Sequence, residues 1–263
     1  MLKEKILQQS LAVRTPVLKQ VEDVARTVRV DFDSVKPYKT DIVKWLRPII
    51  NLEGYHVYPM NGCTEGLNWW YHQEYRSVHM ALGDYQWIKP TDRCAKIVYM
   101  SIPSAINGNF AELPILDPVA LDLAYVGSTK IQYVHNFGNI EYAFFSLSKA
   151  FGLRNIRTGW LFTKKPDERL EALTHSAKYF NYYAHDVAET IISNFDIDYI
   201  HNTLYNKQKD ICDKLDLTPS DSVWLATTQN KEYAKFMRDG KTARISIAGV
   251  MNEETRFTNN TQL

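Results

Sequence analysis

One lysine stands between a short apolar segment and a run rich in hydroxyl, glycine and arginine residues. Lys149 follows the apolar segment 142–145, with Ser146 three positions before it and Arg157 eight positions after it. Lysine is the usual side chain for imine formation with an aldehyde, and a desolvated or electropositive site lowers its pKa so that the amine is nucleophilic. A hydroxyl and an arginine fork both suit a phosphate. The pattern predicts an imine-forming lysine beside a phosphate site.

The segment from Ser146 to Gly159 resembles the lysine motif of fold-type I pyridoxal-phosphate-dependent enzymes, specifically the class I/II aminotransferases. Its Ser-x-Ser-Lys is followed by Gly-Leu-x-x-x-Arg-x-Gly. The resemblance implies that Lys149 carries pyridoxal 5'-phosphate as an internal aldimine, a Schiff base, and that Ser146 and Arg157 bind the cofactor phosphate. Because so short a motif also occurs on ordinary loops, the other motifs of the family decide the interpretation.

A second motif precedes the lysine by 27 residues. Asp122, Ala124 and Tyr125 are similar to the Asp-x-Ala-Tyr of the aminotransferases. A pyridine ring acts as an electron sink when its nitrogen is protonated, and a neighbouring carboxylate maintains that proton. The resemblance implies that Asp122 pairs with the pyridinium nitrogen. It also implies that Tyr125 donates to the ring hydroxyl oxygen and lowers the pKa of the imine.

Two further segments resemble parts of a cofactor site. One is similar to the Gly-x-Thr-Glu-Ala segment that begins a helix in the family, and it makes Gly62, Cys63 and Thr64 candidate phosphate contacts. Backbone N–H groups at a helix N-terminus attract an anion, although the same residues are also compatible with a plain capped helix start. Tyr85 stands where the family has an aromatic that stacks on the cofactor ring, with Trp87 as second choice.

Two residues near the ends of the chain complete the resemblance. Arg244 is similar to the substrate arginine of the family, whose planar fork binds the α-carboxylate of an amino acid. Tyr38 precedes a Leu-Arg-x-x-Ile segment, as does the family tyrosine that reaches the phosphate of the neighbouring subunit. The resemblance implies a homodimer with shared active sites, acting on amino acid and 2-oxo acid substrates.

One segment departs from the pattern of the family. When Pro103 and Gly108 are aligned with the Pro-x-Asn-Pro-Thr-Gly turn, Ala105 replaces the asparagine that binds the ring hydroxyl. A methyl group cannot donate a hydrogen bond, so the bond is either missing or supplied by Asn107 or Asn109. We therefore treat Asn107 as a candidate substrate-binding residue. The departure puts standard transaminase efficiency in doubt, whereas cofactor binding is expected to persist.

Apolar runs alternate with helical or polar segments, which predicts an α/β fold with a mostly parallel sheet and crossover helices. Predicted helices cover 1–28 (interrupted near Pro16), 40–51, 64–74 and most of 166–215, and predicted strands cover 78–82, 97–101, 119–122, 141–145, 159–163, 223–227 and 243–247. Tyr85, Asp122 and Lys149 each follow a predicted strand. Ligands of such sheets lie at the carboxyl ends of the strands, which agrees with the motifs.

The domain organisation follows from the same layout. We expect a large cofactor-binding domain of residues 40–165. Residues 1–39 and 166–263 would form a small α+β domain together with interface segments. The chain is short for the resembled family, and the resemblance runs from about residue 38 to residue 249. The shortening is therefore expected in loops and in the small domain rather than in the site.

The composition bears on other classes of protein. The chain has 263 residues, 45% of them hydrophobic, and its net charge of +1 argues against a nucleic-acid partner. No apolar stretch reaches the length of a membrane span, and the first residues lack the apolar region of a signal peptide. The three cysteines form no CxxC pair, which favours a reducing, cytoplasmic setting, and the seven histidines form no HExxH pair, so no metal site is expected.

Together these motifs predict a pyridoxal-phosphate-dependent aminotransferase. After displacement by substrate, Lys149 would move a proton between Cα and the C4′ carbon of the cofactor, with ping-pong kinetics. Another reaction on the same cofactor, such as β- or γ-elimination, stays open because one fold hosts many chemistries. A noncatalytic, aminotransferase-like protein is a third alternative, which the short length and Ala105 favour and the retained motif residues oppose.

Overall fold

The structure, a computed structural model, describes residues 2–29, 31, 35–74, 78–85, 87–88 and 96–251. The helices are α1 (Leu2–Gln8), α2 (Lys19–Ala25), α3 (Ile42–Leu46), α4 (Cys63–Glu74), α5 (Leu147–Ala150), α6 (Glu168–Glu171), α7 (Tyr182–Asn194) and α8 (Tyr199–Leu215), with a π-helical turn at Ala172–Ser176 and a 3-10 helix at Lys231–Phe236. The strands are β1 (His56–Met60), β2 (Val78–Met80), β3 (Ile97–Ser101), β4 (Val119–Asp122), β5 (Ile140–Phe145), β6 (Gly159–Thr163), β7 (Thr218–Pro219), β8 (Leu225–Thr228) and β9 (Ala243–Ser246).

Six strands form one mixed sheet in the order β1-β6-β5-β4-β3-β2. The four strands from β2 to β5 are parallel neighbours, whereas β6 runs antiparallel to both β5 and β1. β4 and β6 are buried along their whole length, as expected for apolar strands covered on both faces. The predicted α/β class with a mostly parallel central sheet is confirmed.

The parallel strands end together at one edge of this sheet. Ser101, the last residue of β3, lies opposite Asp122, the last residue of β4, and Asp122 in turn lies opposite Phe144 in β5. A single residue, Ser146, connects β5 to α5. Polar groups that follow these strands therefore lie close together although they are distant along the chain.

β1 is a strand that the sequence pattern did not predict. It contains Pro59, and proline has no N–H group to donate to a neighbouring strand. Proline is therefore unfavourable in a central strand, which forms hydrogen bonds on both sides. β1 lies at the edge of the sheet and pairs only with β6, where Pro59 stands opposite Trp160. An edge position tolerates proline because one side of the strand makes no ladder hydrogen bonds.

The helices of the first 50 residues are shorter than predicted. α3 ends at Leu46 because Pro48 has no N–H group to continue the hydrogen-bond ladder. The Ile49 and Ile50 N–H groups instead both donate to the Leu46 carbonyl. Among the residues that the structure describes, no helix is both long enough and apolar enough to cross a membrane.

An irregular stretch divides the predicted N-terminal helix into α1 and α2. Residues 9–18, here named the covering segment, form no regular helix. Thr15 Oγ1 donates to the Ser148 carbonyl at 3.2 Å. A Cβ atom on Gly152 would lie only 2.3 Å from the Pro16 carbonyl oxygen, so only glycine fits there. These contacts hold the covering segment against α5 and the loop that follows it.

β7, β8 and β9 form a separate antiparallel sheet. The buried Gln208 side chain of α8 donates through Nε2 to the carbonyls of Ser220, Ser222 and Leu225. Ser222 Oγ also lies 2.8 Å from Ser128 Oγ, which connects this sheet to the loop after β4. In the sequence, the strands of the large sheet come before the domain boundary expected near residue 165, and those of the small sheet come after it. The division into two domains stays a prediction.

Candidate functional site

A cavity of about 180 Å³ lies at the carboxyl ends of β4 and β5. It contains the last residue of β4, the connection to α5 and the lysine of α5. The residues that line it are Val13, Thr15, Gly62, Cys63, Thr64, Leu67, Tyr85, Asp122, Ala124, Ser146, Ser148, Lys149, Arg154 and Arg157. Eight of the residues expected from the motifs thus meet in one small space: Gly62, Cys63, Thr64, Tyr85, Asp122, Ser146, Lys149 and Arg157.

The Lys149 amine lies between two aromatic rings and a carboxylate. Its Nζ atom is 4.3 Å from the ring centroid of Tyr125 and 5.7 Å from that of Tyr85. Burial alone would lower the pKa of this amine, but Tyr125 and Asp122 together raise it above its ordinary value. The expected lowering of the lysine pKa is therefore wrong for this arrangement, because the two acidic neighbours stabilise the ammonium form.

Asp122 is buried, and both of its carboxylate oxygens accept hydrogen bonds. Ala124 N–H donates to Oδ1 at 2.8 Å, and the Tyr99 hydroxyl donates to Oδ2 at 2.9 Å. Burial raises the pKa of Asp122, while Lys149 and these two donors oppose the rise. A carboxylate in this position faces the cavity and can pair with a cation placed there.

The Tyr125 phenol connects the lysine to the candidate substrate arginine. Arg244 Nη1 lies 3.1 Å from the phenol oxygen. Burial alone would raise the pKa of Tyr125, but the charges of Lys149, Arg244 and Arg238 outweigh it, so the pKa lies below its ordinary value. Three cations therefore act on one phenol at this end of the site.

The opposite end of the cavity is suited to an anion. Gly62 has φ of 89°, and a Cβ atom there would lie 2.8 Å from Arg157 Nη2, so the arginine lies directly against the backbone at the start of α4. Arg157 Nη2 also donates to the Asn61 carbonyl at 2.6 Å. The first N–H groups of a helix have no partners within the helix, so those at Cys63 and Thr64 add donors to the same end.

Tyr85 is positioned by the loop between β2 and β3. The buried Asp84 carboxylate accepts hydrogen bonds from Tyr85 N–H at 2.7 Å and from Ser101 Oγ at 2.6 Å. This carboxylate fixes Tyr85 to the end of β3, with its ring in the cavity. Trp87, the second choice of the sequence analysis, is exposed and donates to Asn68 Oδ1 at 2.8 Å. The geometry favours Tyr85.

Arg244 lies beside the cavity and is covered by other parts of the chain. Its side chain is only 5% exposed. Nη1 donates to the Ala105 carbonyl at 2.8 Å, and Nη2 donates to the Leu11 carbonyl of the covering segment at 3.2 Å. Nε has no hydrogen-bond partner among the described residues. A carboxylate that displaced Leu11 would meet the Nε–Nη2 edge of this guanidinium, which suits a two-point contact.

Asn107, the candidate replacement for the donor missing at Ala105, lies in a turn. Its Oδ1 accepts from Asn109 N–H at 3.0 Å, which closes a tight turn. Asn109 Oδ1 in turn accepts from Asp221 N–H at 2.9 Å. The side-chain oxygen of Asn107 is therefore engaged within the turn, a common use of asparagine, and that of Asn109 binds outside it. Asn107 is not among the residues that line the cavity, and its expected role stays a prediction.

Tyr38 lies outside the cavity, in a different part of the same chain. Its buried ring packs against Phe180 and His185, with centroid distances of 5.4 and 5.1 Å. A contact of Tyr38 with a phosphate in a neighbouring subunit would require this packing to open. The contact therefore stays a prediction, and nothing within one chain brings Tyr38 to the site.

Among the described residues, no group of histidine, cysteine and acidic side chains is arranged to hold a metal ion. Cys63 is buried in the cavity wall, and burial raises its pKa to about 12. Cys212 is buried in α8, and Cys94 lies outside the described residues. The chemistry available at the site is therefore that of the lysine, the phenol, the carboxylate and the arginines.

No protein-family model matches the sequence, and a search of curated proteins finds no relative by sequence. Solved structures do match in fold. Histidinol-phosphate aminotransferase from Sinorhizobium meliloti aligns at 17% identity over 93% of this chain and 88% of its own, with a TM-score of 0.56. An aminotransferase from Mycobacterium tuberculosis aligns at 14% identity over 92% and 85%, with a TM-score of 0.60. This chain has the fold of a fold-type I aminotransferase.

A lyase shares the same fold. The C–S lyase from Staphylococcus hominis, solved in the external aldimine form with an inhibitor, aligns at 13% identity over 94% of this chain and 89% of its own, with a TM-score of 0.64. The aminotransferase fold of this chain therefore accommodates more than one reaction class among its structural neighbours.

Two residues of the aminotransferase-fold site were not assigned from the sequence. Ser148 Oγ is buried at the cavity, and it has no hydrogen-bond partner in the described part of the chain. The sequence signal that points to Ser148 is its place as the second serine of Ser-x-Ser-Lys. Tyr99 reaches Asp122 from β3, and its signal was the alternation of β3, which places Tyr99 and Ser101 on one face.

Proposed function

We propose that this protein is a pyridoxal-phosphate-dependent aminotransferase in which Lys149 bears the cofactor. The observation that carries the proposal is the position of the Lys149 amine. It lies 4.3 Å from the Tyr125 ring, within the field of the Asp122 carboxylate, and in the same cavity as Arg157. A lysine, a buried carboxylate and an anion-binding end in one cavity match the three reactive parts of the cofactor: aldehyde, ring nitrogen and phosphate.

The residues present fit this cofactor. Ser148 offers a buried hydroxyl that lacks a partner among the described residues, and Arg157 and the start of α4 offer further donors at the same end. Asp122, an anion in a buried position, matches a protonated ring nitrogen. Tyr85 presents an aromatic face within 5.7 Å of the lysine amine. The Ala105 position offers no side-chain donor, so the phenol of Tyr125 is left as the donor to the ring hydroxyl.

Bound pyridoxal phosphate supplies an electron sink for the carbanion formed at the Cα atom of an amino acid. Ser146, Ser148 and Arg157 hold the phosphate end in place. Asp122 keeps a positive charge on the ring nitrogen, which favours the separation of charge at Cα. Tyr85 covers one face of the ring position and limits access of water from that side.

Lys149 moves the proton in this proposal. Its amine would remove the proton from Cα as general base and would return it, as general acid, at the C4′ carbon of the cofactor. The Tyr125 ring lies next to this amine. Neighbouring positive charges, that of Lys149 among them, lower the pKa of the Tyr125 phenol. Arg244 holds the α-carboxylate of the amino acid through its Nε–Nη2 edge, which fixes the direction of the Cα–H bond.

The proposal is tested by a spectrum and a peptide map. The purified protein is incubated with pyridoxal phosphate, its absorption is recorded, and the sample is then reduced with borohydride and digested. We expect an absorption band near the visible edge and a cofactor label on the peptide that contains Lys149. Absence of the band, or label spread over surface lysines such as Lys164, would contradict the proposal and favour a noncatalytic aminotransferase-like protein.

Elimination is a second candidate function. The observation that favours it is the fold match to a C–S lyase, with a TM-score of 0.64. Ala105 removes one donor near the ring hydroxyl position, and that difference could alter the choice between reactions. Release of ammonia and a 2-oxo acid from an amino acid, with no acceptor present, would identify elimination. Amino transfer that depends strictly on a 2-oxo acid would identify transamination.

We also propose that the protein forms a homodimer and acts in a reducing, cytoplasmic setting. The basis is the resemblance of the Tyr38 segment together with buried, unpaired Cys63 and Cys212. Sedimentation equilibrium of the purified protein, with and without pyridoxal phosphate, measures the oligomeric state. A monomer under both conditions would exclude active sites shared between subunits.

A further inference from the structure

The strongest feature that the proposed function does not use is a buried tyrosine behind Asp122. Tyr99 is fully buried in β3, and its hydroxyl donates to Asp122 Oδ2 at 2.9 Å. Its ring stacks on Trp70 of α4, with centroids 6.2 Å apart and an interplanar angle of 23°. The hydroxyl is therefore held in place by a rigid aromatic pair rather than by a mobile side chain.

The sheet register makes this contact a property of the fold. Tyr99 lies opposite Ala120, and two residues later Ser101 lies opposite Asp122. Because side chains two positions apart point to the same face of a strand, Tyr99 and Asp122 share one face of the sheet. The phenol is long enough to reach forward to the carboxylate. No other residue type of that length and apolarity ends in a hydroxyl.

The two donors restrict the carboxylate from both sides. Ala124 N–H occupies one oxygen and Tyr99 the other, so rotation of the Asp122 carboxylate would break a buried hydrogen bond. An unpaired buried acceptor costs free energy, which makes rotation unfavourable. A carboxylate has about four lone-pair positions, so two remain for a cation in the cavity.

We propose that Tyr99 is a positioning residue that fixes the orientation of the Asp122 carboxylate and keeps it ionised in its buried site. The proposal rests on the proposed function for its catalytic meaning, because Asp122 serves the ring nitrogen there. The effect on Asp122 itself does not depend on the cofactor. Hydrogen bonds to the charged form favour that form, and Tyr99 acts on Asp122 in this direction, against its burial.

Other charged and titratable groups also act on Asp122, and the experiment has to hold them constant. They are Lys149, Tyr125 and Cys63 in or beside the cavity, and Asp84 in the loop before β3. Tyr99→Phe removes one hydroxyl and leaves all of these groups in place. Its ring still packs on Trp70, so the change is confined to the hydrogen bond.

The chain offers a matched control. Tyr58 is also a fully buried strand tyrosine, and its hydroxyl also donates to a carboxylate, Glu171 Oε1, at 2.7 Å. It lies on β1, away from Asp122. The Tyr58 hydroxyl also accepts from Asp167 N–H at 3.0 Å, so Tyr58→Phe removes at least as many hydrogen bonds as Tyr99→Phe, at a residue that does not line the cavity.

The first measurement is a titration of Asp122 without cofactor. The full chain is labelled with ¹³C at the aspartate Cγ atoms, and Asp122→Asn identifies the Asp122 signal. We expect Tyr99→Phe to raise the pKa of Asp122, since a donor to the charged form is lost, and Tyr58→Phe to leave it unchanged. An unchanged Asp122 titration in Tyr99→Phe would overturn the proposal and reduce Tyr99 to a packing residue.

The second measurement is the affinity for pyridoxal phosphate by equilibrium dialysis. We expect Tyr99→Phe to bind about tenfold more weakly than the unchanged protein, since a hydrogen bond to a charged group is lost, with Tyr58→Phe as the control. Equal affinity of Tyr99→Phe and the unchanged protein would overturn the catalytic part of the proposal. If the unchanged protein binds no pyridoxal phosphate, the proposed function fails, and the titration alone decides the effect of Tyr99 on Asp122.

Discussion

Two of the cavities in the described part of the chain differ greatly in character although they lie on either side of one backbone wall. The small cavity at the strand ends, about 180 Å³, collects Lys149, Asp122 and Arg157. The larger one, about 480 Å³, lies at the β1 and β6 edge. The wall between them is thin, since a Cβ atom on Gly159 would lie 2.7 Å from the Cα atom of Gly62.

The larger cavity is lined mainly by aromatic and aliphatic side chains. Two of its titratable groups contact neighbours in the cavity wall: Glu65 accepts from the Asn61 side chain, and the ring of His185 packs on Phe180 at 5.4 Å. The small cavity instead holds charges that act on one another. In the proposed function, the chemistry takes place in the smaller cavity, where buried charges meet at the strand ends, and not in the larger one.

The largest effect is expected from Lys149→Ala. Loss of the amine removes both the cofactor attachment and the proton carrier, so transamination should fall by about 10⁴-fold or more while the chain stays folded. Amino-group transfer and the thermal unfolding midpoint check both parts. Lys164→Ala, on the surface beside Glu141, is the control and should retain full activity. Full activity in Lys149→Ala would show that the lysine of the small cavity takes no part in the reaction.

A smaller loss is expected from Asp122→Asn. The amide keeps the shape of the side chain but cannot hold a positive charge, so cofactor binding should weaken and Cα–H cleavage should slow by about 100-fold. Single-turnover absorption changes measure the cleavage. Asp186→Asn, which alters a carboxylate near Lys36, should leave both quantities unchanged. An unaltered single-turnover rate would refute the role of Asp122.

Arg244→Lys tests whether the amino acid and the cofactor are bound by different residues at and beside the small cavity. The lysine keeps the positive charge but loses the planar fork, so KM for the amino acid should rise roughly tenfold. Affinity for pyridoxal phosphate should change far less, because Arg244 lies beside the cofactor end rather than in it. The steady-state KM and equilibrium dialysis separate the two effects. An equal loss of both would place Arg244 in the cofactor site itself.

Leu173→Trp tests the larger cavity directly. Leu173 is 41% exposed and lines that cavity, so a bulkier ring can fill space there with little cost to the core. We expect affinity for pyridoxal phosphate and kcat to stay within about twofold of the unchanged protein, as for a surface change. A large loss of affinity or of kcat would show that the two cavities act together.

The smallest effect concerns pH and stability. Burial lowers the pKa of His185, although Asp186 opposes this. As the pH falls, His185 of the unfolded chain therefore binds a proton before His185 of the folded chain does. Neutral His185 thus contributes its full share of the free energy of unfolding above about pH 6.5, and this share is lost as the pH falls toward the folded pKa. Urea unfolding at pH 7.5 and 5.5 should show a greater loss for the unchanged protein than for His185→Gln. An equal loss in both would exclude His185 as a source.

Much of the central sheet was predictable because its strands are short, continuous apolar runs. β3, β4 and β6 begin and end where the sequence pattern placed them. β1 was missed because Pro59 argues against a strand until its edge position is known. The interruption expected near Pro16 in the helix over residues 1–28 is present, but it extends over residues 9–18, where Thr15 and Pro16 contact Ser148 and Gly152.

In the site, too, features within one short segment could be predicted from the sequence, whereas contacts between distant segments could not. The motif residues around Lys149 and Asp122 could be proposed because each lies in a short segment of recognisable order. The bond between Arg244 and Tyr125 could not, because it joins residues 119 positions apart. Asn107 was proposed from the alignment of Pro103 and Gly108 with the family turn, and the hydrogen bond that engages its side-chain oxygen became visible only in the fold.

The hydrogen bond from Arg244 to the Leu11 carbonyl joins two residues that are 233 positions apart in the sequence. During synthesis, Leu11 leaves the ribosome long before Arg244 exists, and the contact forms only after β9 has taken its place. Contacts between such distant parts of a chain form late, because closing a long loop costs entropy that local contacts do not. Of the contacts described for the covering segment, the one with Arg244 is therefore expected to form last, after those with Ser148 and Gly152.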